Sequence, residues 1–289
     1  MTRHTWDEIS AELRRTVVAR LGSPVVRAET PSAGRSSDLS LSLVTEHGTR
    51  VFVKGTRKDS PTARMHHNEV TTYRLLPPGA PVLLWTVNTP EWLILGYEHV
   101  TGRHADFSPG SPDLGPLARL LTATTAHRPT LDGLPVRALA ARWSRVRPWR
   151  TLSRDRDALD TPDRDMIDTC LECEARTIDA LDRGDLIVHA DVHELNMLIH
   201  GGRARLIDWG WACRGPAWID PACAVIRLVG AGHAPRDADQ WAEQIPAWRD
   251  ADRDDVTRFA VALWGMWRYR NRFPVLIDAA RDYARYRLG

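Results

Sequence analysis

Lysine is almost missing from this chain. Among 39 basic side chains in 289 residues only Lys54 and Lys58 are lysines, so a lysine marks a place that wants a compact ammonium rather than a planar fork. A strong net charge is missing too. The formal value of +2 comes from many mixed charges and gives no basic field to attract nucleic acid. No apolar stretch approaches the ~18 residues of a spanning helix, and residues 1–10 lack an apolar signal core. A cytoplasmic protein is expected, with no nucleic acid, no membrane and no obligate protein partner. Cysteines are few: Cys170, Cys173, Cys213 and Cys223. The C-x-x-C pair lies inside 163–181, where Met166, Ile167, Cys170, Cys173, Ile178 and Leu181 follow a largely helical pattern, which favours core packing over redox or zinc chemistry.

The informative stretch is His189-Ala190-Asp191-Val192-His193-Glu194-Leu195-Asn196, with Leu206-Ile207-Asp208-Trp209-Gly210 after it. Between them, Met197-Leu198-Ile199-His200 and Arg203-Ala204-Arg205-Leu206 flank Gly201-Gly202, a hairpin signal because both turn residues accept positive φ. Such a turn sets His200 against Arg203 and Asn196 against Ile207. Asn196 and Asp208 then meet at the open end of the hairpin, with Asp191 one loop upstream. Two oxygen ligands beside a spare carboxylate suit a hard cation on phosphate oxygens and a base for a hydroxyl proton. A zinc site on His189, Asp191 and His193 is the rival reading.

These residues resemble the aminoglycoside phosphotransferase family, whose catalytic loop reads H-[GA]-D-x-H-x-x-N before a strand ending in D-W or D-F. The resemblance implies an α+β, bilobal protein-kinase-like fold. A small N-lobe with an antiparallel sheet and one helix would span 1–100 and bind nucleotide, and a larger, mostly helical C-lobe with the catalytic loop and acceptor site would span 101–289. It implies that Asp191 orients and deprotonates the acceptor hydroxyl, that Asn196 and Asp208 hold Mg2+, and that His189 and His193 structure the loop. Asp220-Pro221-Ala222 looks like the family's D-P-x segment, but the second aspartate that often follows is absent from Cys223-Ala224-Val225.

The upstream half supplies a cation. Arg50-Val51-Phe52-Val53-Lys54-Gly55 is a β-branched and aromatic run ending in lysine, suited to a point contact with the α and β phosphates. Fifteen positions on, Glu69 falls in 61–76, where Met65, Val70, Tyr73 and Leu76 recur at roughly helical spacing; by resemblance Glu69 braces Lys54. The turn at 31–38 has a single glycine, and its backbone N–H groups with the hydroxyls of Ser36 and Ser37 would cradle phosphate. The segment Trp92-Leu93-Ile94-Leu95-Gly96-Tyr97-Glu98-His99-Val100 resembles the adenine-binding strand and linker, with the backbone of Glu98 and Val100 as partners and Tyr97 lining the pocket. The cofactors implied are ATP or GTP with Mg2+.

Only eleven residues lie between Asp208 and Asp220, too few for a protein kinase activation segment, and the H-R-D, D-F-G and A-P-E signatures are missing. The acceptor is therefore expected to be the hydroxyl of a small molecule, an aminoglycoside or other antibiotic first, and a choline-like or sugar metabolite otherwise. A regulatory pseudokinase is the alternative class. Asp237, Asp239, Glu243, Asp250, Asp252, Asp254 and Asp255 near Trp241 and Trp248 would suit a polyamine, but their spacing is also that of a solvated helix face, which is the expectation. Trp241, Trp248, Trp264 and Trp267 read as core. A first helix is expected over 6–21.

Overall fold

The computed structural model describes residues 3–31, 37–131, 135–271 and 273–289. The chain forms two compact units, one of residues Met1–His104 with Leu195–Trp211, the other of Ala105–Glu194 with Ala212–Gly289. The hairpin expected in the 101–289 portion thus has its contacts in the first unit.

In the first unit, helix α1 (Ala11–Leu21) precedes strands β1 (Val25–Glu29), β2 (Leu39–Thr45) and β3 (Arg50–Arg57), helix α2 (Ala63–Thr72), and strands β4 (Leu83–Asn88), β5 (Trp92–Glu98) and β6 (Arg103–His104). The antiparallel sheet has the order β1-β2-β3-β5-β4. Alternation decides its faces. Leu39, Leu41 and Leu43 of β2 point to one side with Val51, Val53 and Ile94, where Ile9, Leu13 and Val17 cover them. Leu93, Leu95 and Tyr97 point to the other side, against Val70 of α2. The first helix starts at Ala11 rather than Trp6 because the Ser10 hydroxyl accepts the Leu13 N–H at 3.2 Å, a side-chain N-cap.

The second unit holds β7 (Leu186–Val188) paired with a strand over Cys213–Gly215. Its helices are α3 (Leu114–Ala126), α4 (Leu139–Trp143), α5 (Pro148–Leu152), α6 (Thr161–Asp165), α7 (Ile167–Asp182), α8 (Ile219–Gly230), α9 (Pro235–Ala242), α10 (Pro246–Arg249), α11 (Arg253–Arg270) and α12 (Pro274–Leu288). The helix expected over 163–181 breaks at Met166, whose backbone (φ −103°, ψ 1°) is not helical. Trp149 and Trp264 are fully buried, edge to face at 4.5 Å, and the Trp149 indole donates to the Val261 carbonyl at 2.8 Å. Cys170 and Cys213 are buried and all four cysteines are free thiols.

The hairpin, β8 (Met197–His200) and β9 (Arg203–Leu206), keeps the register read from the sequence. His200 faces Arg203, Gly201 and Gly202 have φ of 55° and 72°, and the Ile207 N–H donates to the Asn196 carbonyl at 2.8 Å. No described helix is long and apolar enough to cross a membrane.

Candidate active site

β3 and α2 bring Lys54 and Glu69 together inside the first unit. The Lys54 ammonium donates to Glu69 Oε1 at 2.5 Å and to Asp208 Oδ1 at 2.8 Å. The Tyr97 hydroxyl, on the neighbouring strand β5, donates to Glu69 Oε2 at 2.7 Å. Tyr97, expected to line an adenine pocket, therefore fixes the carboxylate that fixes the lysine. Lys54, Glu69 and Tyr97 are all buried, so two carboxylates share one ammonium in a medium that barely screens them. Burial acts most strongly against the Lys54 charge, yet Asp208 and Glu69 outweigh it and raise the lysine's pKa. Burial first, and the charge of Asp208 after it, push Glu69 up to about 7 against the pull of Lys54.

Asp208 sits in the left-handed region at φ 63°, a backbone that aspartate tolerates better than most residues and that recurs at functional sites. It directly follows the Asn196–Ile207 bond that closes the hairpin. The two residues offer one amide oxygen and one carboxylate, hard donors of the kind magnesium takes while keeping waters. Among the described residues no group of three or more His, Cys, Asp or Glu is arranged to hold a metal, so a zinc cluster on His189, Asp191 and His193 finds no support.

Ser36 lies outside the described residues. Ser37 is buried, its hydroxyl 3.1 Å from His66 Nε2. The Nδ1 of that ring lies 3.4 Å from the Thr62 carbonyl, which can only accept, so Nδ1 carries the proton and Nε2 accepts from Ser37. Burial foremost, with Lys54 nearby, lowers His66 from 6.5 to about 4. A folded-state pKa below the unfolded one means stability that is full above pH 6.5 and lost as pH falls through 4. That loss is expected to be about 3 kcal/mol, read by urea denaturation at stepped pH. His66→Gln should flatten this acid limb, and an unchanged limb would mean that another group sets it.

Glu98 closes β5. Its N–H donates to the Val82 carbonyl at 3.0 Å, and its carboxylate accepts from the Val82 N–H at 3.0 Å and from Arg205 at 2.5 Å. Arg205, on β9, also donates to the carbonyls of Gly79 (2.8 Å) and Ala80 (3.0 Å). The hairpin is thereby tied to the end of β5, and hydrogen bonding with Arg205 is the main reason the Glu98 pKa is lowered. Arg205→Ala is expected to cost about 1–2 kcal/mol in urea unfolding; no measurable change would show this fork to be incidental. Val100 follows in irregular chain before β6.

In the second unit β7 delivers His189, Ala190 and Asp191. The Asp220 carboxylate on α8 accepts the N–H of His189 at 2.9 Å and of Ala190 at 2.8 Å. It clamps a loop in which Ala190 has φ 61°, a conformation alanine seldom adopts. Asp220 is buried, and burial raises its pKa against the nearby His189 and the two N–H groups. Asp191 follows this clamp with its side chain 35% exposed, 3.7 Å from His193 Nε2 and 4.0 Å from Arg227. Burial pushes the Asp191 carboxyl up, but His193, His189 and Arg227 outweigh it and hold the group below the ordinary carboxylate value. Asp191 is thus an ionised acceptor at neutral pH. Reading the sequence missed Arg227, although its i+7 spacing from Asp220 on one helix was the available signal.

Of the acidic residues near the C-terminus, Asp237, Asp250, Asp252 and Asp254 are exposed, as expected of a solvated face, while two others turn inward. Asp239 and Asp255 are buried: Asp239 accepts from Tyr283 (2.6 Å) and Arg287 (2.8 Å), and Asp255 pairs with Arg183 and Arg258. Asp252 instead caps α11. An arginine-rich chain has used Asp239 and Asp255 as internal partners.

Known proteins share this fold. The solved structure of aminoglycoside phosphotransferase APH(4)-Ia aligns over 97% of this chain and 98% of its own, with a TM-score of 0.64 at 13% identity. The amicoumacin kinase hAmiN, solved with AMP-PNP, Ca2+ and Ami, aligns over 97% and 92%, at 0.56 and 12%. The APH(3'')-Id enzyme of Streptomyces rimosus, solved with ADP and streptomycin, aligns over 94% and 99%, at 0.57 and 15%. At such identities these likenesses establish the fold. A search of curated protein sequences finds no match. The family model described as the phosphotransferase enzyme family (APH) matches residues 28–264, most of the chain, so the chain belongs to that family and is a small-molecule kinase of protein-kinase-like fold.

Proposed function

We propose that the protein transfers the γ-phosphoryl group of ATP to a hydroxyl of a small molecule in the cytoplasm, with magnesium. The observation that carries this reading is Lys54, buried and held at 2.5 Å and 2.8 Å between Glu69 and Asp208, in a chain with one other lysine. An extended, oriented ammonium is what nucleotide phosphates need, and a lysine kept only for stability has no reason to be clamped by two carboxylates, one of them held in turn by a tyrosine. Asn196 and Asp208 would hold magnesium, which when bound supplies charge neutralisation at the phosphates. Glu69 keeps Lys54 extended. Asp191 orients the acceptor hydroxyl and takes its proton. Because the Glu98 N–H is engaged with Val82, we assign adenine's acceptor to the Glu98 carbonyl and its donor to the Val100 N–H. Nucleotide binding belongs to the first unit and acceptor binding to the second.

Solved family structures hold ATP analogues with hygromycin B or AMP-PNP with Ca2+ and Ami, which supports a nucleotide, a divalent cation and a hydroxylated antibiotic as acceptor. The test is nucleotide consumption by the purified protein with magnesium, against aminoglycosides, other hydroxylated antibiotics, amino alcohols and sugars. An acceptor-dependent signal that vanishes in Asp191→Asn supports the reading. Tight nucleotide binding without any Asp191-dependent turnover would replace the kinase with a regulatory nucleotide binder.

A further inference from the structure

Asp220 and Arg227 lie seven residues apart on α8, two helical turns, and so share one face. The Asp220 end clamps the loop before Asp191. The Arg227 end brings a guanidinium to 4.0 Å from Asp191 Oδ1. This cation is fixed in place: it lies over the Trp267 ring, 5.4 Å from the centroid, and its side chain is 19% exposed. Stacking on an aromatic face and partial burial hold a guanidinium where a free surface arginine would wander. The Asp191 side chain is 35% exposed. An acceptor reaching Asp191 therefore meets a positive charge already installed beside it. Two of the carboxylates that could offset a polycation are buried against arginines, Asp239 with Arg287 and Asp255 with Arg258, and Glu243 lies 3.7 Å from Arg253.

We infer that Arg227 is a specificity-determining residue that selects acceptors neutral or anionic around the reacting hydroxyl and disfavours polycations of the aminoglycoside type. The inference rests on the reading of Asp191 as the acceptor's base and narrows the acceptor class within it. Charge at a site of this kind works by discrimination, since a like charge against the wrong partner costs more than an opposite one gains with the right one.

The test compares kcat/KM of the full-length protein for polycationic aminoglycosides, neutral sugars and polyols, and sugar acids. Inhibition of the slow transfer to water by the same compounds is read alongside. The wild type is expected to prefer neutral or anionic acceptors at least tenfold over aminoglycosides. Arg227→Gln should cut that ratio tenfold or more, Arg227→Lys should keep most of it, and Arg227→Glu should favour the cationic set. Aminoglycosides as the best substrates, equal treatment of all classes, or an Arg227→Gln variant that slows every acceptor alike would each overturn the inference while leaving the kinase reading intact. Loss of the reading itself is seen separately, as nucleotide turnover, including transfer to water, that does not depend on Asp191.

Discussion

Asp191→Asn is expected to lower phosphoryl transfer by ~10²–10⁴-fold, the usual contribution of a positioned base, while leaving nucleotide affinity nearly unchanged. The substitution is nearly isosteric and removes only the charge. The loop conformation should survive it, because Asp220 holds that loop through the backbone N–H groups of His189 and Ala190, not through the Asp191 side chain. Lys54, Glu69 and Asp208 lie in the first compact unit and Asp191 in the second, so the phosphate contacts keep their partners. Asp208→Asn should behave differently. It weakens magnesium-dependent nucleotide binding and also removes one of the two charges holding Lys54. Isothermal titration with a non-hydrolysable nucleotide and steady-state kinetics on both variants separate the roles; equal loss of binding in the two would remove the assignment of Asp191 as base.

The second large effect is expected from Lys54→Met. Without the ammonium, Glu69 and Asp208 face each other with no cation between them, and Glu69 has only the Tyr97 hydroxyl left. Breaking a buried pair by removing one partner costs about 3–5 kcal/mol, because the survivor's charge is left uncompensated. The cost depends on pH in a defined direction. The Glu69 carboxyl is already pushed up to about 7, and removing Lys54, which pulls it down, raises it further. The variant should therefore be least stable above neutral pH and recover as Glu69 takes up a proton on acidification. Adding Glu69→Gln to Lys54→Met should restore stability without restoring nucleotide binding. Urea unfolding at pH 6 and pH 8.5 checks this, and a destabilisation independent of pH would show that lost packing rather than stranded charge is responsible.

The sequence by itself determined the local elements and the positions of the polar groups along them. A glycine pair that accepts positive φ set the hairpin register, which put Asn196 across from Ile207 and next to Asp208. Alternation in 39–44 declared a strand with Leu39, Leu41 and Leu43 inside, and the lysine within β3 announced its own importance by being rare. These signals are legible because each rests on short-range backbone geometry or on which side chain is present at all. The tertiary structure decided which groups meet. Nothing local says that Tyr97 gives its hydroxyl to Glu69, that Ser37 turns to His66, or that Arg205 ties β9 to the end of β5. Those choices join elements 28 to 107 residues apart. The acidic run near the C-terminus carries the same lesson. Its spacing suits a solvated face, but Asp239 and Asp255 are buried against arginines and a tyrosine, because a buried carboxylate must find a partner and only the packed chain determines which one is within reach.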